Sequence, residues 1–118
     1  VTPFVDDTYH LLEKADLVVT RAGMGTLTEL ASLGKPTIIV PIPHSHQEAN
    51  ARYFEVKGAA KVFWCDYRET ETRAGEFVEI LKDVWYNQGR KEGLCSSIQK
   101  LYQGNSIYLI VEEIRNLL

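Results

Sequence analysis

The chain has 118 residues, 45% of them apolar, and carries 13 Lys and Arg against 16 Asp and Glu for a net charge of −3. That length suits one domain with a modest core, and the acidic balance, without any basic run, argues against a nucleic-acid surface. No apolar run approaches membrane-spanning length, and Cys65 and Cys95 form no C-x-x-C pair, which fits a reduced cytoplasmic compartment better than a disulfide scaffold. Val1 opens the chain in mid-pattern with no signal-peptide design, so it reads as a segment of a longer protein.

Val1 to Val5 reads as the end of a strand entering a loop, with Pro3 tolerated there. Asp6 or Asp7 would cap a short helix over Thr8 to Lys14, with Leu11, Leu12 and Ala15 on its inner face. Leu17-Val18-Val19-Thr20 is a short buried strand. It runs into Arg21-Ala22-Gly23-Met24-Gly25, where two glycines allow a turn and a close approach of bare backbone to a ligand. A helix follows from about Thr26 and stops at Gly34, with Pro36 just beyond. Thr37 to Val40 is a β-branched run of the kind covered on both faces in a parallel sheet.

Pro41 to His46 forms a stiff polar loop. Gln47 to Lys57 is a helix with Ala51, Phe54 and Val56 as apolar contacts and Gly58 beyond its end, and Ala60 to Trp64 is a third strand. Cys65 to Arg73 is polar connection. Gly75 to Asn87 is amphipathic helix carrying Phe77, Ile80, Leu81, Val84 and Trp85. A shorter helix is expected around Leu94 to Tyr102. After Gly104 a last helix, capped by Asn105 or Ser106, would carry Ile107, Ile110, Val111, Ile114 and Leu117. Strands alternating with helices define an α/β fold, a parallel sheet with flanking helices.

Ligands of such sheets bind beyond the carboxyl ends of the strands. Three loops meet there: Phe4 to Asp7, Arg21 to Thr26, and Pro41 to Gln47. The helix start after Gly23 offers unpaired N–H groups and a positive dipole end, which suit a phosphate. Thr26-x-x-Glu29 has capping-box spacing, so Glu29 either folds back on the helix start or offers two acceptor oxygens to a sugar diol. Arg21 could bind phosphate or bridge to Asp16 or Glu29. Gln47 and Asn50 carry amides suited to sugar hydroxyls, with helix capping as the competing use. His44 and His46 lack the further ligands of a metal site, so none is assigned. Trp64, Trp85 and Phe63 read as core.

Taken together, Phe4-Val5-Asp6-Asp7, Ala15 to Gly23, Thr26-x-x-Glu29-Leu30, Gly34-Lys35-Pro36, Val40-Pro41, His46-Gln47-x-x-Asn50-Ala51 and Gly58-Ala59-Ala60 resemble the MurG family. The resemblance runs in register from Val1 to about Trp64. It implies a Rossmann-like half of a GT-B glycosyltransferase, comprising most of the carboxyl-terminal domain that binds a nucleotide sugar. By that resemblance the donor is UDP-N-acetylglucosamine and the acceptor a lipid-linked muramyl-pentapeptide. Transfer inverts the anomeric carbon with no tightly bound cofactor or metal, at the cytoplasmic face of the bacterial inner membrane.

Carried over by position, Val5 would pair with uracil beside Phe4, and Glu29 would hold the ribose. Backbone around Gly25 and Thr26 would meet the diphosphate, and Gly23 and Arg21 are further donor-binding candidates. Gln47 and Asn50 would read N-acetylglucosamine, and His46 stands where the family often has a glutamine. The catalytic base would lie in the other domain, leaving this segment inactive alone. Two other readings compete: a glycolipid or natural-product glycosyltransferase using UDP- or dTDP-sugars, and a non-catalytic donor-binding subunit of a bipartite transferase. A dinucleotide-binding oxidoreductase is disfavoured because the full G-x-G-x-x-G is absent.

Overall fold

A computed structural model describes residues 8–66, 68 and 70–103. The expected contacts at Phe4 and Val5, and the helix expected after Gly104, lie outside them. Chain order is α1 (Thr8–Lys14), β1 (Val18–Thr20), α2 (Met24–Leu33), β2 (Thr37–Ile39), α3 (Gln47–Val56), β3 (Lys61–Val62), α4 (Thr70–Trp85) and α5 (Gln88–Gln103). The three strands form one sheet in the order β1-β2-β3, parallel throughout. Val19 stands opposite Ile38, and Ile39 opposite Val62. Val40 N–H to Thr20 C=O (2.7 Å) and Phe63 N–H to Ile39 C=O (2.9 Å) carry the ladder past the assigned strand ends. The expected parallel α/β sheet is therefore present.

Period-two alternation sends neighbouring side chains of β2 to opposite faces. Ile39 joins Val18 and Val62 against Leu27, Leu30 and Ala31 of α2 and Ala51 and Phe54 of α3. Ile38 faces the other way, onto Val84 of α4 and Leu94 of α5, with Leu17, Phe77, Ile80 and Leu81 around them. Both isoleucines are fully buried, which explains the unbroken apolar run. Each such side chain contributes about 1.5–3 kcal/mol of burial.

Several apolar residues expected inside are not. Leu11, Val56 and Trp85 are exposed, at 52%, 77% and 45%, and Val19 is also half open. α1 turns Leu12 and Ala15 inward instead, and α3 is held by Ala51 and Phe54. The Trp85 ring lies beneath the Lys91 ammonium, 5.2 Å away. Trp64 is half-buried, its Nε1–H donating to Glu55 Oε2 (3.0 Å) with the Arg52 guanidinium over the ring. Phe63 is core, tilted against Phe77.

Two helices start earlier than their glycines suggested. α4 begins at Thr70, so Gly75 lies within it. Its first turn is tied down by Arg73, which bonds Glu76 (2.5 Å) and the Trp64 carbonyl. α5 begins at Gln88 and contains Gly89 and Gly93. Asn87 caps it, its Oδ1 accepting the Arg90 N–H at 3.0 Å. One cap of this kind is worth about 1 kcal/mol, enough to offset a glycine in the first turn.

Candidate functional site

The carboxyl ends of β1 and β2 open onto the loops Arg21–Gly23 and Val40–His46. β1 leads directly into α2, whose N-cap is Gly23 in an extended conformation with no side-chain cap bond. The capping-box alternative for Thr26 and Glu29 fails, because the helix starts at Met24 and Thr26 is already its third residue. Thr28 bonds its hydroxyl to the Met24 carbonyl (2.7 Å). Among the described residues nothing accepts from the N–H groups of Met24, Gly25 and Thr26. The helix therefore ends in free donors and the positive pole of its dipole.

Neither Gly23 nor Gly25 has positive φ. A Cβ built on either would meet nothing within 4 Å. The chain's own conformation does not demand glycine at these positions. What glycine leaves here is open space in front of the helix donors.

Glu29 stands four residues after Gly25, on the same face of α2, and side chains on a helix lean back toward its start. Glu29 is half-buried; its backbone carbonyl accepts the Ser32 hydroxyl (2.7 Å), and its carboxylate has no hydrogen bond or ion pair with a described residue. Thr26 is half-buried too, and its hydroxyl is likewise without a described partner. Arg21 is exposed and reaches across the sheet end, donating from Nη1 to the Val40 carbonyl at 3.2 Å. That contact ties the loop after β1 to the end of β2.

α3 supplies the other wall. Gln47 Oε1 accepts two backbone N–H groups, from Ala22 (3.1 Å) and from Ile42 (3.1 Å). Asn50 Nδ2 donates to the Ala22 carbonyl at 2.7 Å. Ala22 is fully buried, and both of its peptide groups are held by side chains of a helix more than twenty residues away. Asn50 is only 2% exposed, and its Oδ1 is buried without a partner. Leaving such an oxygen unpaired costs about 1–3 kcal/mol.

Exposed His46 is the N-cap residue of α3 and makes no side-chain cap bond. Ser45 serves that helix instead, its Oγ accepting the Gln47 N–H at 3.2 Å and its carbonyl accepting the Glu48 N–H. His44 takes left-handed backbone (φ 56) and sets Nε2 3.3 Å from Asp66 Oδ2. The Arg68 N–H first, and the His44 hydrogen bond second, hold the Asp66 carboxyl below its ordinary range. No group of three or more His, Cys, Asp or Glu side chains gathers to ligate a metal among the described residues.

Gly23, Gly25 and Glu29 lie at the start and first turns of α2, and Gln47 at the start of α3; the sequence did not single out Ala22 as the residue that Gln47 and Asn50 both grip. An alanine between strand and glycine carries no sequence signal of that role.

A parallel sheet with a glycine-fronted helix start at its carboxyl edge places the chain among open α/β domains, which bind ligands at that edge as a class. Residues 1–104 match the glycosyltransferase family 28 C-terminal domain. A transferase of Desulforamulus reducens is 31% identical over the whole chain, and one of Bacillus thuringiensis (strain Al Hakam) is 39% identical over 87% of it. Both are named UDP-N-acetylglucosamine–N-acetylmuramyl-(pentapeptide) pyrophosphoryl-undecaprenol N-acetylglucosamine transferase, the second as number 2. The chain covers 32% and 30% of their respective lengths. A crystal structure of MurG from Acinetobacter baumannii superposes with a TM-score of 0.70 at 31% identity, over 98% of this chain and 32% of that one. The chain belongs to the glycosyltransferase family 28 C-terminal domain family, and its fold is the Rossmann-like half of a GT-B enzyme. It spans about a third of the length of the curated relatives it matches.

Proposed function

We propose that this chain is most of the carboxyl-terminal, donor-binding domain of a longer glycosyltransferase. Its donor is UDP-N-acetylglucosamine, and the whole enzyme passes N-acetylglucosamine to a lipid-linked muramyl-pentapeptide in peptidoglycan synthesis. The relatives' names supply the substrates. The observation that carries the reading is the start of α2, whose first N–H groups have no partner among the described residues and sit beside two glycines with open space at Cβ.

In this reading the diphosphate lies against the backbone of Gly23 to Thr26. When the acceptor hydroxyl attacks the anomeric carbon, the bond from that carbon to the diphosphate oxygen breaks and UDP leaves with the charge. Fixed N–H donors and the helix dipole stabilise that charge without reorganising. Glu29, without a partner among the described residues, accepts from the ribose hydroxyls. Arg21 lies at the rim, and Phe4 and Val5 stay assigned to uracil. His46 and Gln47 stand toward the sugar end, and buried Asn50 acts through the loop it holds. No base is assigned in this chain, and the reading includes no tightly bound cofactor. The whole enzyme works at the cytoplasmic face of the bacterial inner membrane. No helix among the described residues is long and apolar enough to span a membrane.

A titration of the purified chain with UDP-N-acetylglucosamine, followed by backbone amide shifts, tests the reading. Shifts should centre on Gly23 to Glu29 and be stronger than those from UDP-glucose at equal concentration. Saturable shifts elsewhere, with the α2 start silent, would overturn it.

A further inference from the structure

Asn50 is a costly residue at its position. It sits on a helix face whose other members are Ala51 and Phe54, is 2% exposed, and keeps an unpaired buried oxygen. An apolar side chain would remove that cost, so the compensation lies in the one bond it makes, to the Ala22 carbonyl. Gln47 completes the grip from the same helix, binding the Ala22 N–H and the Ile42 N–H through one oxygen. Ala22 immediately precedes Gly23, the N-cap of α2. The direction of the α2 donors is thus fixed from outside the α2 helix.

We propose that Asn50 and Gln47 are positioning residues for the anion-binding start of α2, acting through Ala22, beyond any contact they make with the sugar. Buried Asn50 in particular works by holding the loop. This rests on the donor-binding reading for its ligand, but the grip on Ala22 stands on geometry alone.

The two roles separate by comparing UDP with UDP-N-acetylglucosamine. A group that reads the sugar affects only the second ligand, whereas a group that aims the phosphate donors affects both. Asn50→Ala should weaken both by the same factor, about tenfold. A loss confined to UDP-N-acetylglucosamine would overturn the proposal. Hydrogen exchange supplies a readout without ligand, and a second residue guards against a poorly folded Asn50 variant. In Gln47→Leu the Ala22 and Ile42 amides should exchange at least tenfold faster, while Leu30 and Ile39 keep their protection. Gln47→Glu keeps an acceptor oxygen at that position and should keep that protection. Unchanged Ala22 exchange in Gln47→Leu would overturn the grip. If the unaltered chain binds neither ligand, the donor reading fails, and exchange still decides whether Ala22 is clamped.

Discussion

The two ends of the sheet satisfy their backbone in opposite ways. At the amino-terminal end, α2 and α3 each finish in a left-handed glycine, Gly34 (φ 65) and Gly58 (φ 68). Gly34 N–H bonds the Ala31 carbonyl and Lys35 N–H the Leu30 carbonyl; Gly58 and Ala59 repeat this onto Glu55 and Phe54. These paired bonds close each helix on its own backbone, as in a Schellman motif. At the carboxyl-terminal end, the start of α2 has no side-chain cap and is steadied from another helix. The first arrangement needs nothing further, while the second leaves donors available. Glycine therefore means different things at the two ends: backbone geometry at Gly34, vacant space at Gly25.

Substitutions at those two glycines test the contrast most directly. Gly34→Ala should cost about 2 kcal/mol and lower the melting temperature by roughly 8 °C, from left-handed strain plus the clash of a new Cβ with Gln99. Adding Gln99→Ala should recover only the steric part. Equal stability of Gly34→Ala and the parent would break the comparison at its closed end. Gly25→Leu should keep or slightly raise the melting temperature, since leucine is the better helix former and nothing lies within 4 Å of the new Cβ. Its donor affinity should fall about tenfold because the side chain fills the approach to the helix donors. Retained affinity in calorimetric titration would show that the opening is not the anion site.

Glu29→Ala sharpens the same end. Its carboxylate has no described partner to lose, so thermal stability should stay within about 0.5 kcal/mol. Donor affinity should drop about tenfold, the scale of a charge-assisted hydrogen bond to a hydroxyl. A lower melting temperature with unchanged affinity would return Glu29 to a structural role.

The smallest effect is expected at the contact between the loops after β2 and β3. His44→Gly removes the exposed link to Asp66 while suiting the positive φ, and should shift the melting temperature by about a degree at most. Asp66 lies below its ordinary value of 3.8 in the folded chain, the Arg68 N–H being the larger cause and His44 the second. A lowered folded pKa means its contribution is complete above the ordinary value and disappears as acid protonates the folded carboxyl. In His44→Gly the Asp66 carbon resonances should titrate at higher pH than in the parent. An unchanged midpoint would show that the backbone bond alone holds the carboxyl down.

Local patterns were legible wherever one physical cause dominated. The β-branched run at Thr37 to Ile39, the stop at Gly34 and the start of α3 at Gln47 all stand where sequence places them. α4 and α5 start upstream of the expected Gly75 and Leu94, because Thr70 and the Asn87 cap begin helices that tolerate the glycines inside them. Thr26 and Glu29 matched a capping pattern that a helix starting two residues earlier makes irrelevant. Leu11, Val56 and Trp85 show that apolar type does not specify side of a helix when the stripe is short. The grip of Gln47 and Asn50 on Ala22 was illegible for a different reason. It joins segments 25 and 28 residues apart, and no local periodicity encodes such a bond.

One oxygen atom, Gln47 Oε1, is shared by the loop after β1 and the loop after β2. The two loops are therefore not independent fingers. Their separation acts as a gauge length, and changing it means breaking a hydrogen bond that neither loop can replace by itself. Rotation of the whole domain would carry both loops together, whereas flexing one alone would be resisted. A bound molecule long enough to touch both would be measured against that fixed span.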